Sequence, residues 1–259
     1  MREHERETVD FEVWPEAIEL GEMFAEEGYE LALVGGPVRD LLLHRRSHDL
    51  DFCTSARPEQ FEPILRRWGH DGFWDMGRKF GTLGAMRRRP DGTEVQVEIT
   101  TYRSDEYDPD SRKPEVSYGD SLEGDLSRRD FTVNAMALRV PDLEFVDPFG
   151  GANDLSKRVL RTPVDPRQSF DDDPLRMMRA VRFVAQLGFG IEPETAEAIC
   201  TMADRLGIVS AERVRDELVK LLLSDRPRAG IEAFVDSGLA DVVFPEIPAL
   251  QLEIDEHHR

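Results

Sequence analysis

Two aspartates separated by a single leucine, Asp49-Leu50-Asp51, are the sharpest chemical feature of the sequence. In a strand, residues i and i+2 share a face, so both carboxylates would project side by side while Leu50 enters the core. Adjacent negative charges need a cation. Hard oxygen donors of this kind suit magnesium, which takes few carboxylates and completes its shell with water and substrate phosphate oxygens. Glu98, within a segment alternating Val95, Val97 and Ile99, would supply a third carboxylate if its strand lies beside the first. A solvated acidic surface would use the same residues, and the pair alone leaves both readings open.

Upstream, residues 29–34 read as a buried strand that Gly35-Gly36-Pro37 stops abruptly. Two glycines before a helix with proline near its first position leave backbone N–H groups and a positive dipole end facing outward, a geometry suited to a triphosphate. Arg39, one turn into that helix, would bring a guanidinium within reach of the same anion. An ordinary strand-to-helix turn would look the same. A second constellation lies far downstream: Asp173, Arg176, Arg179 and Arg182 recur every third residue and form one slanted polar stripe on a helix. Its plainer account makes Asp173, before Pro174, an N-cap and pairs the arginines with surface acids.

The elements that must position these groups follow from periodicity. Apolar residues Trp14, Ala17, Ile18, Met23 and Phe24 suit a one-sided helix over 14–27. A strand over 49–53, a helix over 58–68 and a strand over 94–100 make the first half a mixed α/β fold. From Gly151 helical periodicity dominates, over 174–187, 193–206, 211–223 and 228–237. The turn-prone Asp147-Pro148-Phe149-Gly150-Gly151 marks the junction, giving domains 1–150 and 151–259. The 259 residues are 40% hydrophobic and 33% charged, which is enough to build packed cores. The balance of 33 basic against 53 acidic residues leaves a net charge of −20, so the overall field repels polyanions. An RNA partner then needs a local basic surface, for which Arg66, Arg67, Arg87, Arg88, Arg89, Lys157, Arg158, Arg161 and Arg167 are candidates. Cys53 and Cys200 lack metal or redox spacing, and no apolar run has the length of a membrane span. A soluble cytoplasmic protein with no membrane contact is expected.

Four segments occur together in a telling order: Gly35-Gly36-Pro37-Val38-Arg39-Asp40, Asp49-Leu50-Asp51, the run from Asp125 to Ala135 holding Arg128, Arg129, Asp130 and Asn134, and the run from Asp172 to Phe183. In order and approximate spacing they resemble the class II tRNA nucleotidyltransferase and bacterial poly(A) polymerase family, over nearly the whole chain. The resemblance implies an α/β nucleotidyltransferase head followed by an all-helical neck. It also implies template-independent addition of CMP and AMP, from CTP and ATP, to the 3′ end of tRNA. Two magnesium ions held by Asp49 and Asp51 would serve that chemistry, with Glu98 as a possible third acid. By the same resemblance Gly35, Gly36, Arg39 and Arg129 meet the nucleotide's phosphates and Asn134 orients its ribose. Arg128 and Asp130 would equally suit an ion pair supporting the site. Asp173 and Arg176 would present Watson–Crick-like edges to the incoming base, with Arg179 and Arg182 meeting phosphate. One departure is visible, since Asp172-Asp173 stands where the family usually has Glu-Asp.

Within that family, residues 104–114 resemble the flexible loop linked to switching from C to A addition, which disfavours an enzyme restricted to adding CC. Gly77-Arg78-Lys79-Phe80 resembles part of a poly(A) polymerase signature, although Asp75-Met76 replaces the apolar pair expected before it. CCA addition therefore ranks first, A addition second and poly(A) synthesis third. Relatives usually continue into body and tail helices or an HD-type metal domain, parts absent from this sequence. A nucleotide- or RNA-binding module without catalysis, and transfer to a non-RNA acceptor, stand as rival readings.

Overall fold

The computed structural model describes residues 13–45, 49–104, 117–118 and 121–249. They divide into two compact units, one built from the chain up to Leu126 together with Met136–Pro148, the other from Ser127–Ala135 together with the chain from Phe149 onward. Where the sequence suggests one crossing near residue 150, the chain passes between the units three times.

The first unit runs α1 (Pro15–Glu26), β1 (Leu31–Val34), α2 (Gly36–Leu42), β2 (Asp49–Thr54), α3 (Pro58–Trp68), β3 (Gly72–Trp74), β4 (Thr82–Arg88) and β5 (Glu94–Thr101). Then come the short pair β6 (Arg103–Ser104) and β7 (Ser117–Tyr118), α4 (Leu122–Ser127) leading into the first crossing, β8 (Ala137–Val140) and β9 (Glu144–Val146). Seven strands form one sheet in the order β3-β4-β5-β2-β1-β8-β9. Only β2 and β5 pair in parallel within it, so the sheet is mixed.

Patterning explains the faces. All four residues of β1 are buried, as a central strand covered on both sides requires. In β2 and β5 burial alternates, with Leu50, Phe52, Val95, Val97 and Ile99 inside. Helix α3 buries Phe61, Ile64, Leu65 and Trp68, one stripe at helical spacing. A Cβ on Gly69, just past α3, would stand 2.3 Å from Ala85 Cβ, which fixes α3 on the sheet face carrying Ala85, Val97 and Leu50. Phe24 of α1 meets Phe61 of α3 with ring centroids 6.0 Å apart. The opposite face is left to Asp49, Asp51, Gln96 and Glu98, all exposed.

The second unit contains α5 (Gly151–Lys157), β10 (Val159–Leu160), α6 (Pro166–Asp172), α7 (Leu175–Leu187), β11 (Gly190–Ile191), α8 (Pro193–Met202), α9 (Ala211–Leu222), α10 (Pro227–Asp236), α11 (Leu239–Val243) and α12 (Glu246–Ala249). It is helical apart from the two-residue parallel pair β10–β11. Helix α7 is its centre, packed by α6, α9 and α10, with Phe183 edge-on to Phe131 at 5.9 Å. The helix expected over 193–206 turns 3-10 from Ala203 to Ile208. No helix among the described residues is long and apolar enough to cross a membrane. Cys53 is buried and Cys200 exposed, and neither is in a disulfide.

Candidate active site

The aspartate pair stands as strand geometry requires. Leu50 is 1% exposed, locked in the core between Asp49 and Asp51, which both emerge on the open face of β2. Strand β1 runs antiparallel to β2 with Leu33 opposite Phe52, so the end of β1 lies beside the start of β2. There Gly35, at φ 72° and ψ −132°, turns the chain into α2, a conformation open to glycine and strained for other residues. Its N–H donates to the Met136 carbonyl at 3.4 Å, and its own carbonyl accepts from the Arg39 N–H at 3.1 Å. Arg39 folds back along this elbow. Its Nη2 lies 3.7 Å from the place a Cβ on Gly36 would occupy, and Nε and Nη2 donate to Asp40 Oδ1 at 2.9 and 2.8 Å. Asp40, which sequence reasoning passed over, thus orients Arg39.

Glu98 is next to Asp51 by register, on the same face. Its carboxylate, however, accepts a hydrogen bond from Trp74 Nε1 at 3.4 Å. Among the described residues no group of three or more His, Cys, Asp or Glu side chains is placed to hold a metal ion. The donor set offered by the sheet is therefore the aspartate pair: hard anionic oxygens on an exposed face, a chemistry that fits magnesium with water and phosphate as the remaining ligands.

In the second unit the polar stripe of α7 is half-buried at Asp173, Arg176 and Arg179 and buried at Arg182. Asp130 accepts from the Phe131 N–H at 2.8 Å, from Asn134 Nδ2 at 2.9 Å, and from Arg179 Nε and Nη2 at 2.8 and 2.6 Å. Burial pushes its carboxyl pKa up, but the Arg179 charge and these hydrogen bonds outweigh burial and hold it below its ordinary value. Asp130 thus pairs with Arg179, and Asn134 is committed to the same carboxylate. Arg182 is buried, its guanidinium 3.9 Å from the Phe183 ring centroid and ion-paired with Glu217, which Arg179 also approaches at 3.6 Å. Where the plainer account of the stripe expects a surface acid, Glu217 is itself buried. Arg176 donates to Ser169 Oγ at 2.7 Å and to the Arg128 carbonyl, and burial pulls its pKa down against Asp130, Asp173 and Asp172. Asp173 accepts from the Leu175 N–H at 3.2 Å and from Arg213 Nη2 at 3.0 Å. Arg129 is half-buried.

The basic runs are mostly neutralised. Arg87 pairs with Glu19, Arg88 with Glu94 and Arg89 with Glu16, each at 2.6 Å. Arg66 pairs with Glu62 at 2.7 Å and Arg161 with Asp154 at 2.8 Å, while Arg167 approaches Glu197 at 3.7 Å. Of the segment 104–114 expected as a flexible loop only Ser104 is described, and His257 and His258 lie outside the described residues.

Residues 31–161 match the family described as the poly A polymerase head domain. The chain belongs to that family. Residues 188–250 further match a probable RNA- and SrmB-binding site of polymerase A. A CCA-adding enzyme from Lactobacillus johnsonii is 40% identical over 233 residues, 90% of this chain and 56% of that protein. The Bacillus stearothermophilus CCA-adding enzyme in complex with CTP superposes with a TM-score of 0.76 at 36% identity, over 88% of this chain and 53% of the other. The Thermotoga maritima CCA-adding enzyme complexed with tRNA gives 0.75 at 29%, over 90% and 54%. The chain thus spans about half the length of these poly A polymerase head-family relatives. Sequence reasoning missed Trp74, Arg213 and Glu217, because each acts through a partner distant in the chain, and Ser169, which meets Arg176 from the preceding helix.

Proposed function

We propose that this chain carries the nucleotide-transferring part of a CCA-adding enzyme, which extends tRNA 3′ ends with CMP and AMP drawn from CTP and ATP. One observation carries the reading: Asp49 and Asp51 stand together on the open face of β2, beside the glycine elbow that ends β1. The CTP-bound and tRNA-bound relatives support the substrates. Asp49 and Asp51 would hold magnesium, two ions during turnover, which supplies Lewis-acid stabilisation of the developing phosphoryl charge and promotes ionisation of the attacking 3′-hydroxyl. Since the Gly35 N–H is taken by the Met136 carbonyl, the Gly36 N–H and Arg39 align the triphosphate for in-line attack. Arg129 adds charge for the phosphates.

Base choice is assigned to Asp173 and Arg176. A carboxylate accepts from the exocyclic amine that cytosine and adenine share, and a guanidinium donates to a ring nitrogen or carbonyl oxygen. Arg213 and the Ser169 and Arg128 oxygens hold these two side chains in place. Arg179 holds Asp130, Arg182 holds α9 through Glu217, and Asn134 supports Asp130. The likeness to bacterial CCA-adding enzymes supports a cytoplasmic setting for the activity.

The test is transfer of label from α-labelled CTP or ATP to tRNA lacking its terminus, with magnesium. Asp49→Asn and Asp51→Asn are each expected to lower incorporation by about a thousandfold. Nucleotide binding without incorporation by the native chain would overturn the reading. Product sequencing with CTP alone, ATP alone and both separates CCA addition from A addition and poly(A) synthesis.

A further inference from the structure

From Phe149 onward every described lysine and arginine is held in an ion pair or a side-chain hydrogen bond except three: Lys157, Arg158 and Arg226. All three are exposed, and the fold brings them to one corner of the second unit. Lys157 closes α5, and Arg158 follows it into β10. The Arg158 carbonyl accepts the Gly190 N–H at 2.9 Å, which sets Arg158 beside the chain just after it leaves α7 at Gly188. There the Arg226 guanidinium lies against Gly188, in the space a Cβ on that glycine would take. Two acids on these elements are spent internally. Asp154 is bound to Arg161 and Thr132, and Glu192 caps α8 by accepting from the Thr195 N–H and Oγ1. Asp225 precedes Arg226 but makes no ion pair with it. Arg158 also sits at φ 56°, the left-handed region in which glycine is the usual residue ending a helix.

We propose that Lys157, Arg158 and Arg226 form the surface that grips the sugar–phosphate backbone of the acceptor tRNA. This rests on the reading of tRNA as the acceptor and adds where the chain holds it. A chain of net charge −20 repels a polyanion as a whole, and three cations without internal acids at one corner give the approach a direction. Ammonium and guanidinium groups neutralise phosphates and release condensed counterions whatever the base sequence.

The test is filter binding of tRNA lacking its terminus to the full chain across a range of salt. Lys157→Gln, Arg158→Gln and Arg226→Gln are each expected to flatten the log–log salt slope by about 0.7 and, at about 0.1 M salt, to weaken binding about fivefold. The triple variant loses most of the salt dependence. Arg228→Gln, an equal charge change on a cation paired with Glu232, leaves affinity and slope as in the native chain. Arg158→Gly separates grip from fold: it relaxes the backbone, so the thermal midpoint holds or rises while tRNA affinity falls. In turnover the three substitutions raise the tRNA KM without raising the CTP KM. Native affinity and slope in the folded single variants, or an equal loss in Arg228→Gln, overturns the proposal. If the native chain neither binds tRNA nor adds nucleotides to it, the acceptor reading falls and this proposal with it. If it adds nucleotides while the triple variant binds tRNA as the native chain does, only the grip is wrong.

Discussion

Asp130 gathers four hydrogen bonds on a buried carboxylate, and its depressed pKa makes stability depend on pH in a defined direction. The unfolded chain takes up its proton near the ordinary value of 3.8, the folded chain only below that. The contribution is therefore complete above the unfolded value and lost as pH falls through the folded one. Asp130→Asn is expected to cost about 3 kcal/mol at neutral pH, because Arg179 loses its main counter-charge in the interior. Urea unfolding measured across pH should show the gap between native and variant chains closing below about pH 4. At this scale the sequence was partly legible. Asp49 and Asp51 could be placed together because a two-residue period is local. Whether Arg182 faced solvent depended on Glu217, which lies 35 positions away on another helix, and no local spacing encodes that.

Strand β2 does two jobs through alternate residues, and Leu50 is the one that anchors it. Leu50→Ala removes a 1% exposed side chain from between Val97 and the rest of the core, and is expected to cost about 3 kcal/mol by urea denaturation. Strands β2 and β5 and helix α3 were legible because each has a clean apolar period. Strand β4 was not, since Thr82–Arg88 contains a glycine where alternation expects a side chain and ends in arginines. Its glycine is explained by the Trp74 ring, which belongs to β3. The short pair β10–β11 was equally silent, because two residues show no period. Charge patterning also misled: the Arg87-Arg88-Arg89 run has the look of a phosphate contact, yet each side chain meets a glutamate.

The chain carries a net charge of −20, and among the described residues those internal pairings occupy most of the arginines of the basic runs. Association with tRNA lacking its terminus should then depend weakly on salt, with a log–log slope of about −2 or shallower in filter-binding titrations. A steeper slope would mean that the arginine–glutamate pairs open on binding. The α/β-then-helical division was visible in the shift of periodicity near Gly151, but Ser127–Ala135 was not, because membership of a folded body is decided by tertiary partners. Thr132 Oγ1 donates to Asp154 at 2.6 Å and the Thr132 N–H donates to the Arg161 carbonyl at 2.7 Å. Those nine residues are a plug borrowed from mid-chain, returned only when Met136 re-enters the sheet. Severing the gene at any single codon would leave one product lacking a piece of its own interior, so neither half can be exchanged as one contiguous cassette.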